Sequence, residues 1–327
     1  MSRFLKALLA FYVYGNFHIS LGAVALGDIT FMLLGTHIPF WLAIFIFCAT
    51  FCLYNLQRVY ASWKLNDVER QTTERHAWVT NMRIPMTLLT IAALLVGAIS
   101  VLKSFAFIEN GVSEGSGYSL NFSENAIHFY LSCIVAGVIS IGYALPIIPA
   151  RPRWKRLRDL PGIKVMLVAL VWGIVTVIWP YTIIPYQVDC LVGVEDIIAF
   201  LFKPETVIIW LIIVIVYIYA ITIPFDIRDY LIDGAKVRSL PVVLGIRRAR
   251  IIAMLLLVPV VGISIAGMVI LQHRRMEFLM IAIVCLPTAI VIGMATPKRH
   301  EYYYSLLTDG LLLVLWFAVW LAFRFMH

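Results

Sequence analysis

Residues 205–225 of the chain read ETVIIWLIIVIVYIYAITIPF, and residues 226–233 continue as DIRDYLID. The first stretch carries a single charged residue, Glu205, at its start. About 20 apolar residues allow an α-helix to cross the hydrocarbon core of a bilayer, so this stretch predicts a membrane-spanning helix. Three aspartates, Asp226, Asp229 and Asp233, come directly after this apolar run. The sequence therefore predicts a cluster of carboxylates at one end of a membrane helix.

The whole chain has the composition of a membrane protein, since 62% of its 327 residues are hydrophobic and 13% are charged. We predict an all-α, polytopic membrane bundle of about nine transmembrane helices. No linker divides the chain, so residues 1–327 are expected to form a single domain. The predicted spans are residues 17–35, 38–57, 84–102, 126–148, 165–187, 205–225, 251–271, 278–297 and 303–323.

Basic residues predict the orientation of the bundle. If the N-terminus is cytoplasmic, 21 of the 26 Lys and Arg residues fall on the cytoplasmic side. This is the positive-inside pattern. It explains the net charge of +8, because the basic residues lie on the cytoplasmic side, next to anionic lipid headgroups. We therefore expect an integral multi-pass protein with its aspartate cluster on the cytoplasmic face (of the inner or plasma membrane in a bacterium), and no nucleic-acid partner.

The aspartates of the cluster are spaced for metal binding. At about 100° per residue, Asp226, Asp229 and Asp233 fall within roughly 60° of one another on a helix. Hard carboxylate oxygens suit Mg²⁺, which is usually shared with substrate phosphates. The alternative is a solvated loop whose acids are neutralised by the interleaved Arg228, Lys236 and Arg238.

Two further segments give the chain a resemblance to the UbiA-type intramembrane prenyltransferases. In that family a second run of aspartates is followed by Gly, Thr or Ser, Leu, Pro and Gly, and here Ser239-Leu-Pro-Val-Val-Leu-Gly245 follows Asp233. Tyr143-Ala-Leu-Pro146 resembles the family's Tyr-x-x-Pro segment, and basic residues follow it at positions 151, 153, 155, 156 and 158.

The first aspartate motif departs from the family pattern. Its Asn is present as Asn55, but Arg58 and Ser62 stand where the family has acids. In one interpretation Arg58 binds diphosphate oxygens in place of a metal ion. In the other, the loss of one metal site has ended catalysis.

The resemblance implies transfer of an isoprenyl group from a prenyl diphosphate to a hydrophobic aromatic or lipid acceptor within the membrane, with Mg²⁺ as cofactor. It assigns catalysis and metal binding to Asp226, Asp229 and Asp233. The substrate-binding residues that we predict are Asn55, Arg58, Tyr143, Arg151, Lys155, Arg228 and Lys236. Apolar cavity walls are degenerate in sequence, so neither the acceptor nor the chain length is specified.

Two other functions remain open at this point. A catalytically silent relative would bind an isoprenoid or lipid, or serve a partner. A transporter would use the intramembrane acids Asp28 and Asp309, which lie in the first and last predicted spans and which we expect to face the bundle interior or to lie near an interface.

Overall fold

The computed structural model describes residues 2–64, 74–113, 122–145, 149, 156–160, 163–183, 205–233 and 239–326. Every regular element within these residues is helical, which confirms the predicted all-α class. We number the principal helices α1 (Arg3–Tyr14), α2 (Phe17–Leu33), α3 (Phe40–Lys64), α4 (Glu74–Asn81), α5 (Arg83–Ser113), α6 (Phe122–Ala144), α7 (Ile163–Ile183), α8 (Glu205–Asp233), α9 (Leu240–Leu244), α10 (Ile246–Ile270), α11 (Arg275–Gly293) and α12 (Asp309–Met326).

Within the described residues, six helical stretches are long and apolar enough to cross a membrane: Arg83–Lys103, Ile163–Ile183, Glu205–Leu231, Ile246–Ile270, Gln272–Gly293 and Tyr303–Phe325. The pair α1 and α2, bent by 53°, adds a seventh if it is one span. Phe40–Leu56 and Ile127–Tyr143 are shorter apolar helices. The protein is thus an integral multi-pass membrane protein, and the number nine stays a prediction.

The helices pack as a closed ring. Helix α2 packs against α3 and α12, and the contacts continue from α12 through α11, α10, α8, α7 and α6 back to α3. Helix α5 packs extensively on α3. A ring of helices satisfies all backbone hydrogen bonds within each helix, as a lipid environment requires, and it can enclose a polar space at its centre.

The break between α1 and α2 is tied to α3. Asn16 has a left-handed backbone with φ of 68°, and a Cβ on Gly15 would lie only 2.4 Å from the Phe11 carbonyl oxygen. The Asn16 side chain donates to Asn55 Oδ1 at 2.8 Å, and Asn55 Nδ2 donates to the Gly15 carbonyl at 3.1 Å. Asn55 therefore fixes the chain where α1 turns into α2.

Helix α8 carries the quoted apolar stretch and the aspartates without interruption. Its 29 residues extend about 43 Å, which exceeds the roughly 30 Å hydrocarbon core. Pro224 lies inside the helix and removes one backbone hydrogen bond just before Asp226. The aspartates thus occupy the last turns of a helix that is longer than the membrane core.

Two stretches of π-helix interrupt the regular geometry, Ile174–Ile178 within α7 and Tyr303–Thr308 directly before α12. A π-helical turn inserts an extra residue and redirects the side chains that follow it, and such turns are frequent at functional sites. Asp309 immediately follows the second π segment.

Asp28 is buried and hydrogen-bonded at the other end of α2. Its Oδ1 accepts from the Ile38 backbone N–H at 3.0 Å, and its Oδ2 accepts from Trp316 Nε1 at 2.8 Å. Because both oxygens have partners, Asp28 joins α2 to the start of α3 and to α12. The expectation that this acid is turned inward agrees with its burial.

Candidate active site

A polar cavity of about 170 Å³ lies at the centre of the ring. Helices α2, α3, α4, α6, α7, α8 and α12 all contribute to its wall. Among the residues that the structure describes, its charged lining consists of four basic and three acidic side chains: Arg58, Arg75, Lys164, Arg228, Asp226, Asp229 and Asp309. The fold therefore gathers seven ionisable groups, which are distant in sequence, around one space.

Asp226 pairs with a lysine of the neighbouring helix. Lys164 Nζ donates to Asp226 Oδ1 at 2.6 Å, and the side chains of Lys164 and Asp226 are 20% and 2% exposed. Removing an ion pair of this kind from water is compensated only when its geometry is good, and a distance of 2.6 Å meets that condition. Lys164 thus holds the first aspartate of the cluster at the cavity wall.

Asp229 pairs with its own neighbour in sequence. Arg228 Nε donates to Asp229 Oδ1 at 2.7 Å and Arg228 Nη2 donates to Oδ2 at 3.2 Å. This pairing is the neutralisation by basic neighbours that the alternative interpretation of the cluster foresaw. The residues form a helix rather than a solvated loop, however, and both aspartates line the cavity.

Glu301 connects two of the arginines. Its Oε1 accepts from Arg75 Nη1 at 2.9 Å and from Arg228 Nη1 at 2.9 Å, and Ser305 Oγ also donates to it at 3.3 Å. Burial and the nearby Arg228 lower the pKa of Arg75, while Glu301 opposes that shift. The basic groups are thus crowded at the cavity, which favours the binding of an anion.

Arg58 is fixed by the end of α1. Its Nη1 donates to the Tyr14 carbonyl oxygen at 2.9 Å. The guanidinium lines the same cavity as Asp226 and Asp229. Arg58 and the two aspartates therefore face one shared cavity.

The other predicted substrate-binding residues are placed differently. Tyr143 lines the cavity, whereas Asn55 is buried behind the wall and is engaged with the α1–α2 break. Arg151, Lys155 and Lys236 lie outside the described residues, and so does the side chain of Asp233. Their roles stay predictions.

The Ser239–Gly245 segment supports the fold rather than the cavity wall. Ser239 is buried and precedes the five-residue helix α9, and Pro241 within that helix is buried too. None of the described residues of this segment lines the cavity. The motif therefore marks where the chain turns from α8 to α10.

An apolar cleft of about 160 Å³ adjoins the polar cavity. It lies between α3, α6 and α7, and its lining includes Leu53, Ile139 and Val171. The wall common to the two spaces is formed by four side chains, Tyr54, Tyr143, Val168 and Trp172. Trp172 Nε1 donates to the Tyr54 hydroxyl at 3.3 Å, which holds two of these rings together.

Sequence reasoning missed part of this site. Glu301 follows a basic pair and has the appearance of an ordinary surface acid, so nothing in the sequence pointed to it. For Asp309, the sequence indicates only an intramembrane acid, of a kind that a transporter would use. Lys164 follows the basic run of residues 151–158, and nothing in the sequence indicates that it reaches Asp226.

The donor set suits one metal ion that is shared with a bound anion. No group of three or more His, Cys, Asp and Glu side chains that could hold a metal by itself occurs among the described residues. Mg²⁺ commonly takes only one or two carboxylates and completes its shell with water and phosphate oxygens. Asp226 and Asp229 are two carboxylates of this kind, and in this structure Lys164 and Arg228 pair with them. On the α3 side, the charged side chain that lines the cavity among the described residues is Arg58, a base rather than an acid.

Comparison with known proteins gives a structural match. No protein-family model matches the sequence, and no curated protein matches it either. A solved structure described as digeranylgeranylglyceryl phosphate synthase in membranes superposes with a TM-score of 0.50 at 14% identity, over 97% of each chain. The chain has the fold of this synthase. At this level of identity, the similarity establishes the fold.

Two further solved structures are similar, both described as a UbiA homolog from Archaeoglobus fulgidus. The one bound to DMAPP and Mg²⁺ has a TM-score of 0.48 at 14% identity, over 98% of this chain and 96% of that one. The one bound to GPP and Mg²⁺ has a TM-score of 0.49 at 13% identity, over 97% and 96%. The resemblance to UbiA-type proteins predicted from sequence is confirmed, at the level of the fold, by the synthase structure with its TM-score of 0.50.

Proposed function

We propose that the protein is an integral-membrane prenyltransferase, which moves an isoprenyl group from its diphosphate to a hydrophobic acceptor. The observation that carries the proposal is the junction of the two spaces. A cavity with four basic side chains meets an apolar cleft at a wall of aromatic rings. A prenyl diphosphate has the same division, with an anionic head and an apolar chain.

The head of such a substrate fits the charges of the cavity. Arg58, Arg75, Lys164 and Arg228 can donate to diphosphate oxygens, and guanidinium groups do so through two parallel hydrogen bonds. Asp226 and Asp229 would hold Mg²⁺, which would supply further stabilisation of negative charge on the leaving diphosphate. We propose Mg²⁺ as the cofactor on the chemistry of this donor pair.

The apolar wall protects the reacting carbon. Breaking the allylic carbon–oxygen bond transfers the electron pair to diphosphate and leaves positive charge on the prenyl group. Apolar side chains exclude water from that carbon, and aromatic faces attract a cation. Tyr54, Tyr143 and Trp172 stand where the head and chain would join, so we assign them this role.

The test uses full-length protein in lipid nanodiscs with a panel of radiolabelled allylic diphosphates, membrane lipid extract and Mg²⁺. Production of a prenylated, Mg²⁺-dependent product by the wild type, and its loss in Asp226→Asn and Asp229→Asn, is expected. A wild-type protein that binds no prenyl diphosphate analogue and makes no product would overturn the proposal. Lys103→Met, at the far end of α5 from the cavity, is the matched control.

A second candidate function is binding without turnover. The pairing of Asp226 with Lys164 and of Asp229 with Arg228 favours it, because both carboxylates already have internal cations. Calorimetric titration with an unreactive prenyl thiolodiphosphate separates the two functions when it is combined with the turnover assay. Tight binding that is unaccompanied by any product identifies a binder.

A further inference from the structure

Asp309 differs from the other acids around the polar cavity. Asp226, Asp229 and Glu301 each accept a hydrogen bond from a basic side chain at 2.6 to 2.9 Å. Asp309 also lines the cavity, but no side-chain hydrogen bond to its carboxylate is found within the part of the chain that the structure describes. Its oxygens therefore remain available to a ligand.

The fold directs Asp309 into the cavity. The π segment Tyr303–Thr308 ends at the preceding residue, and Thr308 Oγ1 donates to the Tyr303 carbonyl five positions earlier at 3.1 Å. Ser305 and Leu312, one turn before and after Asp309, line the same space. One face of the helix thus presents a hydroxyl, a carboxylate and an apolar side chain in succession.

An ionised carboxylate inside a membrane-spanning helix costs free energy, and acids found there are usually functional and usually face the bundle interior or a cavity. Asp28, the comparable acid of α2, has hydrogen-bond partners for both oxygens and joins three helices. Asp309 has no such structural link to any residue in the described part of the chain. Arg58, Arg75 and Arg228 line the same cavity as Asp309.

We infer that Asp309 is the catalytic base, which accepts the proton that a hydroxyl-bearing hydrophobic acceptor loses as its oxygen attacks the prenyl group. The inference rests on the proposed prenyl transfer. The acceptor oxygen forms a bond to the allylic carbon with a lone pair, and the carbon–oxygen bond to diphosphate breaks with its electron pair going to diphosphate. The acceptor O–H proton passes to the Asp309 carboxylate.

The surroundings of Asp309 fit an acceptor of this class. Val13, Ile19 and Leu312 form an apolar part of the wall of the cavity that Asp309 also lines. A molecule with an apolar body and one hydroxyl can bury the body there and direct the hydroxyl to Asp309. A strongly polar acceptor would leave its remaining polar groups without partners on that surface.

The test compares the wild type with Asp309→Asn and Asp309→Glu in nanodiscs. Three quantities are measured: the affinity for a prenyl thiolodiphosphate, hydrolysis of an allylic diphosphate without acceptor, and transfer to hydroxyl-bearing lipids of a membrane extract. For Asp309→Asn we expect affinity within twofold of wild type, retained hydrolysis, and transfer lowered about 100-fold or more, as is typical when a general base is lost. Asp309→Glu should regain part of the transfer.

Asp28→Asn is the matched control, because it neutralises an intramembrane acid away from the cavity, and its transfer should equal that of wild type. Wild-type transfer rates in Asp309→Asn would overturn the inference. So would a parallel loss of affinity and hydrolysis, since that would place Asp309 in the diphosphate site. Gel filtration shows whether Asp309→Asn is folded. If it is misfolded, Asp309→Glu decides the question, and a folded Glu variant without any transfer counts against Asp309 as the catalytic base. Failure of the wild type to bind the analogue refutes the proposed function itself.

Discussion

Lys164 at the start of α7 donates to the buried carboxylate of Asp226 on α8 at 2.6 Å. The two residues are 62 positions apart, and the pair lies at the wall of the polar cavity. It determines where the first aspartate of the cluster stands before any ligand arrives. It also adds one of the four positive charges that a diphosphate would meet.

Removing this lysine should affect both stability and binding. In Lys164→Met the Asp226 charge remains buried without its partner, and breaking such a pair typically costs about 3–5 kcal/mol. We expect a lower thermal unfolding midpoint and weaker binding of a prenyl thiolodiphosphate. Fluorescence-detected gel filtration after heating and calorimetric titration measure the two effects. Unchanged affinity would show that Lys164 serves the fold alone.

Chelation of Mg²⁺ should separate the contribution of the metal to turnover and substrate binding from the contribution of the basic side chains. With EDTA, turnover should fall about 100-fold or more, the usual effect of losing a charge that stabilises the transition state. Binding of the thiolodiphosphate should weaken yet remain measurable, because four fixed cations stay in place. Complete loss of binding in EDTA contradicts this prediction. Ca²⁺ in place of Mg²⁺ is the control for a general ionic effect.

Arg58→Asp would restore the acid that the family resemblance expects. At low Mg²⁺ concentration we expect at least tenfold weaker thiolodiphosphate binding, since one positive charge is replaced by a negative one. The affinity should then rise more steeply with Mg²⁺ than in wild type. Arg58→Lys keeps the charge but loses the planar donor fork, so an intermediate affinity is expected. Equal affinities in all three proteins would exclude contact between Arg58 and the diphosphate.

Asp28 is predicted to stabilise the fold and to take no part in turnover. Trp316→Phe removes the donor to Asp28 Oδ2, and the loss of a hydrogen bond to a charged group typically costs about 1.5–3 kcal/mol. A lower unfolding midpoint with unchanged transfer is the expected result. Ion or solute flux in proteoliposomes that depends on Asp28 would instead support the transporter alternative.

The orientation proposed from the basic residues can be measured by cysteine labelling. In a background that lacks the five native cysteines, Lys298→Cys and Lys103→Cys are labelled with a membrane-impermeant maleimide in intact cells. We expect Lys103→Cys to react before lysis and Lys298→Cys only afterwards, because the N-terminus and the aspartates are placed in the cytoplasm. The reverse pattern would invert the topology. Both lysines are exposed, so access by itself does not decide the result.

Predictions from sequence were strongest where one chain segment contains the whole signal. The apolar run before Asp226 was sufficient for a membrane helix, because hydrocarbon requires every backbone group to bond within the segment. The spacing of Asp226 and Asp229 placed them on one helix face, and both do line the cavity. Asn55 was less predictable, because its amide turned out to bind the α1–α2 break.

The sequence by itself determined that this protein resides in a membrane, that it is helical, and that an acidic cluster lies at the end of α8. All of these depend on local hydrophobicity and helical periodicity. Only the tertiary structure decided which charges share a space: that Lys164 holds Asp226, that Glu301 joins Arg75 to Arg228, and that Asp309 faces the same cavity without a hydrogen-bond partner among the described residues. The reason is physical. Pairing of charges depends on distances between helices, and these are set by packing around the ring rather than by any one segment.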